Sequence, residues 1–449
     1  MQDVEKPTIN IFWFRRDLRL TDNHGLQEAL QSGVPVQPLF IFDTEIIGQL
    51  EDRDDARVQF IHDSLSSIQK DLEALGSTLD VRYGAPDQIW KELISEYDIS
   101  TVYYNIDFEP YARQRDASIE SLLSKHEIGF SGFLDHLIFH PNEVLKANGD
   151  PYVVYTPYSK VWKKMLFADD EFIPGDLSVS TRFEGYHAKI KSDQVCQTTP
   201  KRMISLPEMG FKPSKINVPP CKIKEDLISK YSQNRDFPGR NGTSMLGVHL
   251  RFGTISIRQL ARIGAGLNDT YLNELIWREF YAMILYHFPF VVERSFRAKY
   301  DRIEWRNDPN MFTLWCNGET GYPMVDAGMR QLNQTGYMHN RVRMVVASFL
   351  TKHLLIDWRW GERYFARKLL DFELASNNGG WQWAAGCGTD AAPYFRIFNP
   401  ESQMKKFDPQ LVYIRKWVPE YGTDAYPPPI VDHKMARISC LQTYRDALG

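Results

Sequence analysis

The hydrophobic period of this chain changes near residue 140, and the change divides what it can become. Before that point, short runs rich in β-branched and aromatic residues alternate with helical patterns; well beyond it, only helical patterns remain. Ile9–Phe14, Val36–Asp43, Leu79–Tyr83, Thr101–Asn105 and Phe130–Ile138 read as strands. Asn23–Gln31, Asp54–Leu75, Pro86–Tyr97 and Pro110–His126 carry helical spacing between them. Strands joined by helical crossovers pair in parallel, with helices covering the sheet. The expected fold is a Rossmann-like parallel α/β domain over 1–140, an irregular connector over 141–224 and a larger all-helical domain over 225–449. The connector is rich in Pro, Lys, Ser and Asp, with one short helix near Tyr158–Leu166. Leu272–Tyr286, Asp326–Gly336, Arg341–Leu355 and Trp360–Leu370 are the clearest helices beyond it.

No G-x-G-x-x-G follows the first strand; Trp13-Phe14-Arg15-Arg16-Asp17 stands there, so the α/β domain lacks the usual dinucleotide fingerprint. A net charge of −4 argues against a surface basic all over, yet leaves room for a local groove that contacts phosphates. Five widely spaced cysteines form no C-x-x-C pair, which suggests reduced thiols rather than a disulfide framework or a zinc site. Met1–Thr8 lacks the apolar stretch of a leader, and no run reaches the ~20 apolar residues of a membrane span. A monomeric, cytoplasmic protein is the expectation. Aromatic content is 13% with 11 Trp, so the chain either fills large cores with rings or uses them.

Three stretches of the helical region concentrate chemistry. Glu274, Trp277 and Arg278 share one helix face at i+3 and i+4; Glu274 and Arg278 alone could be a surface ion pair. In Gly336-Tyr337-Met338-His339-Asn340-Arg341-Val342-Arg343-Met344, Asn340 and Met344 share a face, as they would in any amphipathic helix. Asp371-Phe372-Glu373-Leu374-Ala375-Ser376-Asn377-Asn378-Gly379-Gly380-Trp381-Gln382-Trp383 is the most specific: carboxylates and amides, then two glycines permitting close approach, then two indoles. Asp371 and Glu373 have no third ligand nearby, so no metal is expected.

At these stretches the chain resembles the photolyase/cryptochrome family. Phe12-Trp13-Phe14-Arg15-Arg16-Asp17-Leu18-Arg19, Val154-Tyr155-Thr156-Pro157-Tyr158, Gly242-Thr243-Ser244 and Tyr394-Phe395-Arg396-Ile397-Phe398-Asn399-Pro400 extend the likeness over nearly the whole chain. It is nearest to the class I cyclobutane pyrimidine dimer photolyases. The resemblance implies a U-folded FAD in the helical domain and light-driven repair of pyrimidine dimers in DNA. Tyr231, Thr243, Ser244 and Leu246 would hold the phosphate side of FAD, where Met245 and Gly247 depart from the Arg and Ser common in the family. Arg278, Arg343, Asp371, Glu373 (Asp in many members) and Asn377 would surround the flavin ring, with Asn377 facing N5.

By the same resemblance, Trp277 and Trp383 would stack on a flipped-out dimer. Glu274, if protonated, would donate to a pyrimidine carbonyl, and Asn340 and Met344 would complete the wall. Six-four photoproduct enzymes have histidines at those last two positions, so a cyclobutane dimer is the expected substrate. Trp381, Trp358 and Trp305 match the electron-relay triad, although any one of them alone reads as core filler. Arg341, Arg396 and Lys405, with Arg251 a further candidate, are expected at DNA phosphates or on a solvated rim. Asp107, Phe108 and Glu109 lie where some members bind a folate, so a second antenna chromophore, folate or deazaflavin, is an open expectation. The alternatives are a cryptochrome-type photoreceptor acting through a protein partner, disfavoured by Asn377 and by a chain that stops at Gly449, repair confined to single strands, and an unrelated nucleotide-binding protein, which would be colourless.

Overall fold

The computed structural model describes residues 6–167 and 181–449. The chain forms two compact units: Met1–His140 with Leu177–Lys222 and Leu246–Ile263, and Pro141–Asp176 with Ile223–Met245 and Gly264–Gly449.

The first unit is built on five parallel strands, β1 (Thr8–Phe14), β2 (Val36–Asp43), β3 (Asp80–Gly84), β4 (Asp98–Asn105) and β5 (Gly129–Phe133), in the order β3-β2-β1-β4-β5. β1 and β2 are almost wholly buried because helices cover both faces, which is why they read as continuous apolar runs. One face packs Phe12, Phe14, Phe40 and Phe42 against Leu26, Leu65 and Leu72. The other packs Ile11, Trp13 and Leu39 against Trp90, Leu93 and Ile119. The helix starts follow local chemistry: the Asn23 side chain accepts from the Leu26 N–H at 3.2 Å, Asp55 accepts from the Arg57 N–H at 2.9 Å, and Pro86 and Pro110 open their helices.

Phe130–Ile138 was expected as one strand, but β5 ends at Phe133. The run that follows stays apolar, yet it contains Asp135, whose carboxylate is fully buried against Arg19 (2.7 Å) and Arg258 (2.7 Å) and lies well below the usual carboxylate range despite its desolvation. A charge clamped by two guanidiniums fixes the chain there by its side chain rather than by ladder bonds. At the C-terminal end of β1, Arg15 pairs with Asp116 at 2.6 Å and Arg16 with Asp107 at 3.2 Å. Cations where a dinucleotide's phosphates would lie are thus neutralised from within the unit.

Residues 141–224 do not act as one connector but are shared between the units, and 168–180 lie outside the described residues. The division follows apolar anchors that the polar composition masks. Tyr158 and Trp162, on the helix Tyr155–Leu166, are buried in the second unit, and the Trp162 indole N–H donates to Glu279 at 2.6 Å. Val195, Leu206, Met209 and Phe211 join the sheet core instead.

The second unit is helical, with its core around Trp315, Met324, Met329, Val346, Phe349, Trp358 and Trp381. The expected helices appear as Asp269–His287, Pro323–Thr335, Asn340–Ser348 and Trp358–Lys368. The expected Arg341–Leu355 helix closes early: Phe349–His353 form a wider π turn, and Leu355 leaves it at φ +52°. Inside that turn Lys352 is buried, donating to the carbonyls of Ala385 (2.9 Å) and Tyr394 (3.2 Å).

Candidate active site

Helix Asp269–His287 starts where Asn268 accepts from the Tyr271 N–H, and it sends Glu274, Trp277, Arg278 and Tyr281 to the wall of a cavity of about 400 Å³. Asn340, Arg343 and Met344 reach the same cavity from Asn340–Ser348, and Asn377, Gly380, Trp381 and Trp383 from Leu374–Ala385. Asp371 and Glu373 complete it from the turn before that last helix. The three stretches singled out in the sequence therefore meet around one space within one unit.

Its electrostatics are a set of paired charges. The Arg343 guanidinium donates to both Asp371 oxygens, at 3.0 and 2.8 Å, and its Nε donates to the Met338 carbonyl at 2.7 Å. The Arg278 guanidinium donates to Glu373 at 2.9 Å. Glu274 does not pair with Arg278 one turn away; it accepts from Arg235, a cavity residue the sequence reading missed. Burial raises the Glu274 carboxyl and the Arg235 guanidinium opposes that. Asn377 donates through its amide to the Glu362 carbonyl oxygen (3.0 Å) and carboxyl (2.8 Å), which leaves its Oδ1 for the cavity. Burial pushes the Glu362 carboxyl up.

The two adjacent glycines serve different ends. A Cβ on Gly379 would sit 2.2 Å from the Tyr281 ring, so its absence lets two helices close together. A Cβ on Gly380 would meet nothing within 4 Å, on the stretch that lines the cavity. That open floor beside two Arg–carboxylate pairs suits a flat, polar-edged ring system.

Tyr231, Thr243 and Ser244 lie away from this lining. Thr243 and Tyr337 hydroxyls are 3.2 Å apart, and the Tyr271 hydroxyl donates to Ser244 at 3.3 Å. Tyr231 packs edge-on against Tyr271. Met245 holds φ +55°, a left-handed conformation unusual for its side chain. Leu246 is buried in a segment of the α/β unit. Trp381 and Trp358 are buried in the helical core, and Trp305 is half-buried with its ring edge-on to Tyr444 at 6.1 Å.

Of the expected phosphate contacts, Arg396 and Lys405 are exposed and pair with no carboxylate among the described residues. Arg341 is different: its guanidinium is held by Asp236 at 2.7 Å and lies over the Phe407 ring at 4.4 Å, which keeps it from reaching out as a free cation. Arg251 belongs to the α/β unit and pairs with Glu109 at 2.7 Å. In that unit Asp107 is lowered by Arg16 against its burial, and the Phe108 ring lies 5.1 Å from His140.

A parallel α/β unit with a helical unit whose cavity combines indoles and Arg–carboxylate pairs defines the flavoprotein class of photolyases and cryptochromes. Residues 10–174 match the family model "DNA photolyase", and residues 271–423 match "FAD binding domain of DNA photolyase". A deoxyribodipyrimidine photo-lyase of Halobacterium salinarum is 37% identical, the match covering 98% of this chain and 100% of that protein. Among solved structures, a bacterial class III photolyase from Agrobacterium tumefaciens aligns with a TM-score of 0.84 at 34% identity, covering 100% of this chain and 99% of that one. An archaeal photolyase from Sulfolobus tokodaii with two FAD molecules aligns with a TM-score of 0.79 at 32% identity, over 97% and 99% of the two chains. The chain belongs to the DNA photolyase family.

Proposed function

We propose that the helical unit's cavity is where this enzyme repairs cyclobutane pyrimidine dimers in DNA under blue light. The observation that carries this reading is the convergence of Glu274, Trp277, Asn340, Met344 and Trp383 on the cavity that Arg343–Asp371, Arg278–Glu373 and Asn377 also line. FAD fits the residues present: the open space at Gly380 admits a ring, and paired guanidiniums and an amide oxygen offer contacts to its polar edge. Bound, reduced FAD supplies the electron that splits the dimer after light is absorbed.

The protein's own residues grip and orient. Trp277 and Trp383 offer flat faces to pyrimidines turned out of the helix, each stack contributing about 1–3 kcal/mol. Glu274, when protonated, donates to a pyrimidine carbonyl and stabilises negative charge that develops there; burial raises its carboxyl and the Arg235 guanidinium opposes that. Asn340 and Met344 give a neutral wall with no acid for a harder rearrangement, which favours the cyclobutane dimer. Tyr231, Thr243 and Ser244 serve the phosphate side of FAD, and Trp381, Trp358 and Trp305 carry electrons inward from the surface. Arg396 and Lys405 contact phosphates without reading sequence.

No described helix is long and apolar enough to cross a membrane. On the proposed reading the enzyme acts on its DNA as a monomer in the cytoplasm. A second chromophore, where one binds, would belong to the α/β unit; the two FAD molecules of the Sulfolobus protein add a flavin to the folate and deazaflavin already expected. The test is direct. Purified protein should show flavin absorption and restore a dimer-containing duplex under blue light. An unrepaired duplex after illumination of the fully reduced enzyme overturns the reading.

A further inference from the structure

We infer that Tyr155 is a positioning residue for lesion binding: it backs the Trp277 indole so that one face of that ring is held open to a pyrimidine. This rests on the lesion-binding reading of Trp277 and extends it to a residue outside the cavity.

Tyr155 and Trp277 are stacked face to face, with ring centroids 3.7 Å apart and planes within 4°. Trp277 lines the cavity and Tyr155 does not, so the phenol covers the side of the indole turned away from it. Phe280 closes the edges of both rings, at 5.9 Å and 82° to Tyr155 and 5.6 Å and 85° to Trp277. Tyr281 leans on Trp277 at 5.5 Å. An indole boxed in this way has one direction left for a flat partner.

Tyr155 is itself pinned at both ends. Its hydroxyl donates to the Asn273 carbonyl at 2.9 Å and lies 3.2 Å from the Asn273 side-chain oxygen, one turn before Trp277 on the same helix. Its backbone N–H opens the helix Tyr155–Leu166, where Val154 provides no side-chain cap, and donates instead to Asp390 at 3.2 Å. Asp390 holds φ +45°, a left-handed backbone that aspartate tolerates better than most side chains. Helix ends leave backbone donors seeking partners, and here a distant carboxylate takes one up. The phenol is therefore rigid without any ligand, and its rigidity passes to Trp277. A plate already immobilised loses little freedom when a base settles on it, and that saving appears as affinity.

The experiment uses the full chain with FAD bound and two short duplexes, one carrying a single thymine dimer and one undamaged. Tyr155→Leu removes the flat backing, Tyr155→Phe keeps it without the hydroxyl, and Trp277→Ala removes the plate. Tyr155→Leu should weaken dimer binding about tenfold, equivalent to about 1.4 kcal/mol, with binding to the undamaged duplex and bound FAD unchanged. The KM for repair should rise with kcat retained, and Tyr155→Phe should stay within about threefold of the parent. If Tyr155→Leu fails to retain FAD, Tyr155→Met, of similar reach but without a flat face, is read in its place. Unchanged dimer affinity in Tyr155→Leu, alongside a large loss in Trp277→Ala, overturns the inference while leaving the role of Trp277 intact. Equal weakening on damaged and undamaged duplexes also overturns it, since Tyr155 would then only support the fold. Full dimer affinity in Trp277→Ala overturns the lesion-binding reading as well.

Discussion

Alanine at Gly379 and alanine at Gly380 should have opposite effects, although the residues are neighbours on one helix. At Gly379 the new methyl would lie 2.2, 2.3 and 2.9 Å from three atoms of the Tyr281 ring. Restoring an ordinary contact of 3.4 Å requires a shift of about 1.2 Å in the ring or the helix. Tyr281 has little room to give, since Trp277 and Phe280 pack on it at 5.5 and 5.8 Å. Overpacking of this kind costs about 2–3 kcal/mol. Replacing glycine by alanine inside a helix returns about 1 kcal/mol. The net expectation is a loss of about 1–2 kcal/mol for Gly379→Ala and a gain of up to about 1 kcal/mol for Gly380→Ala, whose methyl meets nothing within 4 Å. The helix term is common to both, so the difference between the variants isolates the steric term. Urea unfolding of the flavin-free proteins, followed by far-UV circular dichroism, measures that difference. Flavin retention should fall in Gly380→Ala, because its methyl projects into the cavity. Two variants of equal stability, or a Gly380→Ala protein that binds FAD as tightly as the parent, would refute the reasoning.

The helical unit should also weaken in mild acid. Burial lowers His339 to about 4 and His353 to about 3, both from 6.5. Depressed histidines contribute stability that is complete above about 6.5 and lost as pH falls toward the folded value, on the order of 2 kcal/mol from each by pH 5; urea midpoints at pH 7.5 and pH 5 check this, and equal midpoints refute it. Trp305→Phe should slow photoreduction of oxidised flavin severalfold, measured as the rate of flavin bleaching, while repair by pre-reduced enzyme stays nearly intact. Lys405→Ala and Arg396→Ala should each make the dependence of log K on log salt shallower by about one unit, with the preference for damaged DNA retained.

The sheet was legible because its signals are local. Val36–Asp43 appears with the bounds its apolar run suggests, and Asn23, Asp55, Pro86 and Pro110 mark helix starts by chemistry within a few residues. Phe130–Ile138 misled because Leu137 and Ile138 are buried like strand residues, while the feature that ends the strand, an ion pair from Asp135 to Arg258, spans 123 positions. The connector misled for a related reason: composition averages over Trp162 and Phe211, and single anchors decide which unit a polar segment joins. In the cavity, residues within the three dense stretches could be found from their spacing and family resemblance. Arg235 could not, since its partner Glu274 lies 39 positions on; the only local hint is that it lies one turn after Tyr231, over whose ring it sits at 5.3 Å. Asp236, which holds Arg341 across 105 positions, was hidden in the same way.

One helix, Leu374–Ala385, carries Asn377, Gly380 and Trp383 on the lining of the cavity and Trp381 where buried aromatic rings begin. If the proposed roles hold, pigment tuning, charge conduction and damage recognition share a single rod and cannot drift independently. Substitution there that rotates the rod to improve one property detunes the other two. Adaptation of this enzyme to another light regime or lesion should enter through the helices facing that rod, leaving the rod itself almost fixed.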